Sequence, residues 1–168
     1  MQTYIIKNQK DLNKFKDDYG YKIDGNAEFE YSAIFEGRLL VNGYLSIKAG
    51  ESIKAGEFIK AGEFIKAGGF IEAGGSIEAG DNYGISAVLS ITCKGKLKFG
   101  SKAFAGICTW KNISDQEKTI TCGKFEGGVI EYGVLIETGL PEEKMITLSN
   151  GKKVSESTVI EALKGLIK

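Results

Sequence analysis

Chemistry on a protein needs groups that move protons, hold metals or attack carbon, and this chain is poor in them. Its 168 residues include no histidine. That removes histidine-based serine or cysteine triads, the commonest general base and the usual ligand of zinc centres. Three cysteines, Cys93, Cys108 and Cys122, form neither a CxxC pair nor an even framework. They read as free thiols in a cytoplasmic protein, with Cys93 and Cys108 as small buried hydrophobes. Lys94 adjoins Cys93, but no basic partner for a reactive thiol is evident. Glu51, Glu57, Glu63 and Asp81 are the candidates for a paired-carboxylate site, yet their spacing disperses them, and a solvated face is the expectation. No glycine-rich phosphate loop is present. The expectation is a protein without enzymatic activity, metal or cofactor.

Binding chemistry is better represented. Lys94, Lys96, Lys98, Lys102 and Lys111 are interleaved with Phe99, Phe104 and Trp110. Across residues 81–111 five lysines face Asp81 alone, whereas residues 23–80 hold nine acidic against five basic side chains. Over the whole chain 22 basic residues equal 22 acidic ones, so no global field recruits nucleic acid or membrane. Lys94, Lys96, Lys98, Lys102, Lys111 and Trp110 are therefore the expected partner-binding surface, suited to a phosphate backbone or an acidic protein patch. A merely solvated strand face is the simpler alternative. Phe58, Phe64 and Phe70 form a second candidate surface, each standing just before an inward isoleucine and so formally outward.

The element that positions these residues is a repeat. From Ile47 to Gly80 the chain reads IKAGES-IKAGEF-IKAGEF-IKAGGF-IEAGGS-IEAG, with isoleucine first, alanine third and glycine fourth. A period of six scatters the isoleucines around a helix of about 3.6 residues per turn, and a glycine in each copy costs a helix about 1 kcal/mol. In strands, the isoleucine and alanine share the inner face, the lysine or glutamate between them points to water, and the glycine turns a corner. The pattern predicts a β-solenoid.

Steps of six back from Ile47 reach Val41, Phe35, Phe29 and Ile23, with Ala27, Ala33, Leu39 and Leu45 at the fifth position of those earlier hexads. The outward charges favour three hexads per coil, which stacks Glu30 on Lys48, Glu36 on Lys54, Lys54 on Glu72 and Lys60 on Glu78, with Lys48 on Lys66 as the one like pair. The earlier hexads resemble the pattern of left-handed β-helix proteins, many of which are acyltransferases with a histidine base that this chain lacks.

The predicted fold is mainly β: a hexad-repeat β-helix, triangular and left-handed, with a short N-terminal helical cap and a C-terminal strand–turn–helix unit. Residues 1–22 are the cap, with Tyr4 to Ile6 as a strand and Asn8 opening a helix that carries Leu12, Phe15 and Tyr19. Residues 23–140 are the solenoid. Its regular hexads end where Asp81 to Gly84 insert a turn, and Ser114 to Glu117 read as a capping box. Residues 141–168 begin at the boundary Pro141 and continue with a strand from Met145, a turn at Asn150-Gly151, a return strand at Val154 and an amphipathic helix bearing Val159, Ile160, Leu163, Leu166 and Ile167.

The IKAG and IEAG hexads, the segment SAVLSITCKGKLKFGSKAFAGICTW, the EYG…ET strand pair and the tail ITLSNGKKVSESTVIEALK resemble small proteins of low-GC bacterial phages and prophages. That resemblance covers most of the chain and implies an accessory role in a bacterial host's cytoplasm, such as anti-CRISPR-like inhibition of a defence complex. It implies a host protein or ribonucleoprotein as partner, and it assigns no functional residues. Direct nucleic-acid contact and homodimerisation remain as alternatives, and no membrane partner is expected. The competing functions are a self-associating scaffold and a binder of a small nucleotide signal in an oligomeric cleft.

Overall fold

A computed structural model describes residues 1–139 and the strands Met145–Thr147 and Lys153–Ser155. It is a parallel β-solenoid of about five turns with a triangular section. The first sheet stacks Thr3–Ile6, Asn26–Phe29, Leu45–Ala49, Ile65–Gly68, Ile85–Ala87, Lys102–Ala105 and Val129–Tyr132. The second stacks Ala33–Phe35, Ile53–Ala55, Ile71–Ala73, Ile91–Cys93, Thr119–Cys122 and Val134–Glu137. The third begins with Lys16–Asp17, antiparallel to Gly20–Ile23, and continues through Arg38–Val41, Ile59–Ala61, Ile77–Glu78, Lys96–Lys98 and Lys124–Glu126.

The hexad explains the interior. Ile53, Ile59, Ile65, Ile71 and Ile77 are buried, as are Ala55, Ala61, Ala67 and Ala73 in the same strands. The earlier inward residues Ile23, Phe29, Phe35, Val41 and Ile47 are buried too, together with Ala27, Ala33, Leu39 and Leu45. No polar or charged side chain is buried among the described residues. The core is one column of apolar side chains along the axis, held by burial and by ladders of backbone hydrogen bonds.

The stacking register differs from a uniform step of six. Asn42 meets Asp24 across a separation of 18 residues, but Ser52 meets Ser32 across 20. The difference arises between Leu45 and Ile53, where a bulge at Lys48 and the positive φ of Gly50, +84°, lengthen one corner. Ile53 therefore lies beside Ala33, and Ala55 beside Phe35. A two-residue insertion leaves the inside–outside alternation intact while sliding large side chains onto small ones, which suits close packing. Asp81 to Gly84 lengthen a second corner, between Ile77 and Ile85, in the same way.

The register also corrects the charge ladder. Lys54 and Glu72 meet at 2.7 Å and Lys60 and Glu78 at 2.9 Å, as the triangular coil requires. Lys54 lies beside Ile34 rather than Glu36, and Lys66 beside Ser46 rather than Lys48. Glu30 approaches Lys7 at 4.0 Å instead of Lys48.

Most hexad glycines serve close approach rather than an unusual backbone angle. Gly74 has no positive φ, but a Cβ there would collide with the carbonyl oxygen of Gly56 in the neighbouring coil. Among the glycines of the repeat, positive φ is confined to Gly50.

The N-terminal end is closed by its own segment. The Asn8 side chain accepts a hydrogen bond from the Asp11 amide at 3.1 Å and opens the helix Gln9–Leu12, whose Leu12 is fully buried. A 3₁₀ turn, Asn13–Phe15, follows, and the Phe15 ring meets Tyr4 edge-on at 4.9 Å. Tyr19 is not on the helix. The chain has already turned into the Lys16–Asp17 pairing, and Tyr19 lies exposed with the Arg38 guanidinium 5.0 Å from its ring centre. At the other end of the chain Met145–Thr147 pairs antiparallel with Lys153–Ser155, and the turn expected at Asn150-Gly151 lies outside the described residues. Pro141 and the helix expected over Val159 to Ile167 lie outside the described residues.

Candidate partner-binding surface

The basic residues singled out by sequence are spread around the solenoid. Lys96 and Lys98 project from the third sheet on either side of Leu97, and Leu97 and Phe99 are buried as their alternation demands. Lys94 stands at the corner after Ile91–Cys93, Lys102 opens a strand of the first sheet, and Lys111 belongs to a loop. Only Lys96 and Lys98 share a strand, so the run does not form one stripe.

Carboxylates distant in sequence also neutralise these lysines. Lys96 meets Glu126 at 3.2 Å, Lys98 meets Asp81 at 3.5 Å, and Lys102 meets Glu131 at 2.8 Å. Lys124 shares Glu126 at 2.9 Å, and these two lysines hold the Glu126 carboxyl below its ordinary range. Of the five lysines in that stretch, Lys96, Lys98 and Lys102 thus stand in ion pairs, which leaves much less long-range attraction for a phosphate backbone, while Lys94 has no carboxylate within 4.0 Å among the described residues.

Phe58, Phe64 and Phe70 are half-buried and stand before strands of the third, first and second sheets respectively. They mark three corners and share no face. Phe64 stacks flat on Tyr44, with ring centres 4.9 Å apart and planes 4° from parallel. Ser52 and Ser76, which hold the equivalent corner position elsewhere, accept hydrogen bonds from the amides of Phe70 and Lys96 at 3.0 and 2.9 Å. Ser46 instead lies within the Leu45–Ala49 strand and does not share that position.

The loop spanning residues 106–118 is the largest departure from the repeat. It joins Lys102–Ala105 of the first sheet to Thr119–Cys122 of the second, where other coils use a short corner. Gly106 leaves the strand at φ +86°, and the chain returns through the 3₁₀ turn Gln116–Lys118. The capping box is reciprocal: the Ser114 amide donates to Glu117 Oε2 at 2.9 Å, and the Glu117 amide donates to Ser114 Oγ at 3.3 Å. Lys111 Nζ reaches Glu117 Oε1 at 2.7 Å and ties the loop's middle to its end. Hydrogen bonds from Lys111 and Ser114 hold the Glu117 carboxyl down at about 2, and Glu117 raises the Lys111 ammonium in return.

On this braced loop Trp110 is 59% exposed and Ile107 47% exposed. Sequence marks Trp110 and Lys111 but passes over Ile107, which follows Gly106 and reads as part of a strand; its signal is the glycine that ends the alternation.

Burial pushes the Cys93 thiol up to about 12 and raises Cys122 as well, while Cys108 is half-buried, and all three are unpaired. A polar cavity of about 480 Å³ beside the N-terminal segment is lined by Asp17, Asp18, Tyr19, Glu36 and Glu57. Its Asp17 is committed to Arg38 at 2.9 Å, and that contact with the Tyr19 amide lowers its carboxyl. Among the described residues no group of three or more acidic or cysteine side chains is placed to hold a metal ion. No described helix is long and apolar enough to cross a membrane. Comparisons with protein-family models, curated proteins and solved structures find no match to this chain.

Proposed function

We propose that this chain is a non-enzymatic binding protein, a rigid β-solenoid that presents the 106–118 loop to a macromolecular partner. The observation carrying this reading is the exposed Trp110 on a loop fixed by the Ser114–Glu117 box and the Lys111–Glu117 pair. A large aromatic held in place loses little freedom on binding, and tryptophan is enriched among the residues that dominate protein interfaces. Paired lysines favour a protein surface over bare nucleic acid. With the phage resemblance of the sequence, the reading extends to a phage-encoded inhibitor that docks on a protein or ribonucleoprotein of a host defence complex.

The test is affinity capture from bacterial lysate with wild type, Trp110→Ala and Lys96→Glu/Lys98→Glu baits, followed by reconstitution with the purified partner. Loss of the partner with Trp110→Ala, and its retention with the double reversal, supports the loop. The opposite pattern returns the interface to the lysines of the third sheet.

A self-associating scaffold is the second reading, favoured by the last coil, where Val129, Val134 and Ile136 are outward and exposed. Sedimentation separates the two: discrete monomers or dimers support the binding protein, and open-ended filaments support the scaffold.

A further inference from the structure

The first sheet carries a gap in an aromatic ladder. Tyr44, Phe64, Gly84 and Lys102 occupy the same corner position in four successive coils, each just before a buried residue of the first sheet. Tyr44 and Phe64 stack face to face, and the Tyr44 hydroxyl donates to Glu28 at 2.6 Å, which fixes the first ring. The next position is glycine, so the stack stops there. A Cβ at Gly84 would collide with the Lys102 carbonyl, so the gap is imposed by the backbone of the coil beyond.

The result is a groove of about 340 Å³ lined by Phe64, Lys66, Gly84, Ser86, Lys102 and Phe104. Phe104 lies beside Ser86, and Lys66 flanks Ser86 on its other side. Phe64 stands in the Gly84 column and Phe104 in the Ser86 column two coils from it, so the two residues flank the gap diagonally, about 12 Å apart at ordinary strand spacing and rise. A planar ring set over Gly84 would extend the Tyr44–Phe64 stack at about 5 Å, with Phe104 to one side of it.

We propose that this groove is a binding site for a single aromatic side chain in an acidic segment of a partner protein. The inference rests on the reading of the chain as a protein-binding solenoid and adds a second contact, on the strand that leads into the 106–118 loop. The charge of the segment follows from the rim. Lys66 has no carboxylate within 4.0 Å among the described residues, and Lys102 is engaged by Glu131 on its far side. An acidic residue beside the inserted ring gives Lys66 the partner it lacks. A single-stranded nucleic acid fits less well, because it needs a positive track and a series of stacking platforms. The gap accepts one ring, whereas Tyr44 and Phe64 already stack on each other and leave no further platform in that column.

The experiment titrates the full-length protein with a blocked pentapeptide, Glu-Asp-Trp-Glu-Asp, and with its alanine counterpart, read by calorimetry and by backbone amide shifts. The tryptophan peptide is expected to bind saturably and to shift the amides of Gly84 and Ser86, with the alanine peptide about tenfold weaker or worse. Phe64→Ala and Lys66→Glu are each expected to weaken binding about tenfold, and Lys22→Ala, on the third sheet, to leave it unchanged. Lys66 is exposed, so its reversal keeps the test valid if loss of Phe64 disturbs the Tyr44 stack. Equal binding of the two peptides, indifference to Lys66→Glu, or a single-stranded oligothymidine that binds the groove more tightly than the peptide overturns the proposal. Because the peptide assay needs no host partner, its failure leaves the Trp110 capture result standing, and a failed capture leaves the groove result standing.

Discussion

Ala55 lies beside Phe35 in the second sheet, and Ile53 beside Ala33. The largest inward side chain of one strand meets the smallest of the next, because one long corner at Gly50 advances the repeat by two residues. The packing thus depends on a position where the repeat is broken, and the two kinds of glycine at its corners give distinct expectations.

Gly74→Ala is expected to cost about 2–4 kcal/mol, since its Cβ meets a backbone carbonyl that cannot rotate away. Gly50→Ala meets nothing within 4 Å and is expected to cost about 1–2 kcal/mol, through the left-handed backbone alone. Denaturant unfolding of the two variants checks the ranking, and a costlier Gly50→Ala contradicts it.

Ile59 is fully buried, whereas Lys60 is outward in a half-exposed pair with Glu78. Ile59→Asp buries an unpaired carboxylate and is expected to unfold the solenoid at a cost of several kcal/mol, on the order of 4. Lys60→Ala is expected to shift stability by under about 0.5 kcal/mol. Equal losses in thermal melts would remove the inside–outside assignment.

The order of the 106–118 loop depends on pH. Glu117 falls from an ordinary 4.5 to about 2, so its contribution to loop order is complete above 4.5 and lost as pH drops through about 2. Lys111 is raised above 10.5, so its contribution is complete below that value and lost at higher pH. Trp110 fluorescence is expected to stay constant between these limits and to change on acidification toward pH 2. Glu117→Gln is expected to abolish the acid transition, and its persistence in that variant would assign it to another carboxylate.

Thiol labelling reports the core from inside. Cys93 and Cys122 are buried with raised pKa values, and Cys108 is half-buried in the loop. Alkylation of the native protein is expected to modify Cys108 first, with all three reacting after denaturation. A disulfide in the intact mass under non-reducing conditions would contradict three free thiols.

Much of this fold is legible because the hexad encodes it directly: isoleucine and alanine of one strand face inward, and lysine or glutamate between them faces water. The Lys54–Glu72 and Lys60–Glu78 pairs follow from the same spacing. The slip at Gly50 is not legible, since inserting two residues into a period-two pattern leaves every inward position inward. The fate of the lysines is hidden for a different reason. Lys96, Lys98 and Lys102 look unopposed locally, but Glu126, Asp81 and Glu131 reach them only through the coil. Phe58, Phe64 and Phe70 look like one surface because their spacing is constant, yet one hexad is one side of the triangle, so each falls on a different corner.

The most direct measurement is site-specific photo-crosslinking in a bacterial host. A benzoylphenylalanine is placed at Trp110 in one strain and at Lys22, exposed on the third sheet near the N-terminal end, in another. The account predicts one discrete host-protein adduct from position 110, absent from position 22 and competed away by excess wild-type protein. Identical adducts from both positions, or a host-protein adduct from position 22 and none from position 110, would contradict it.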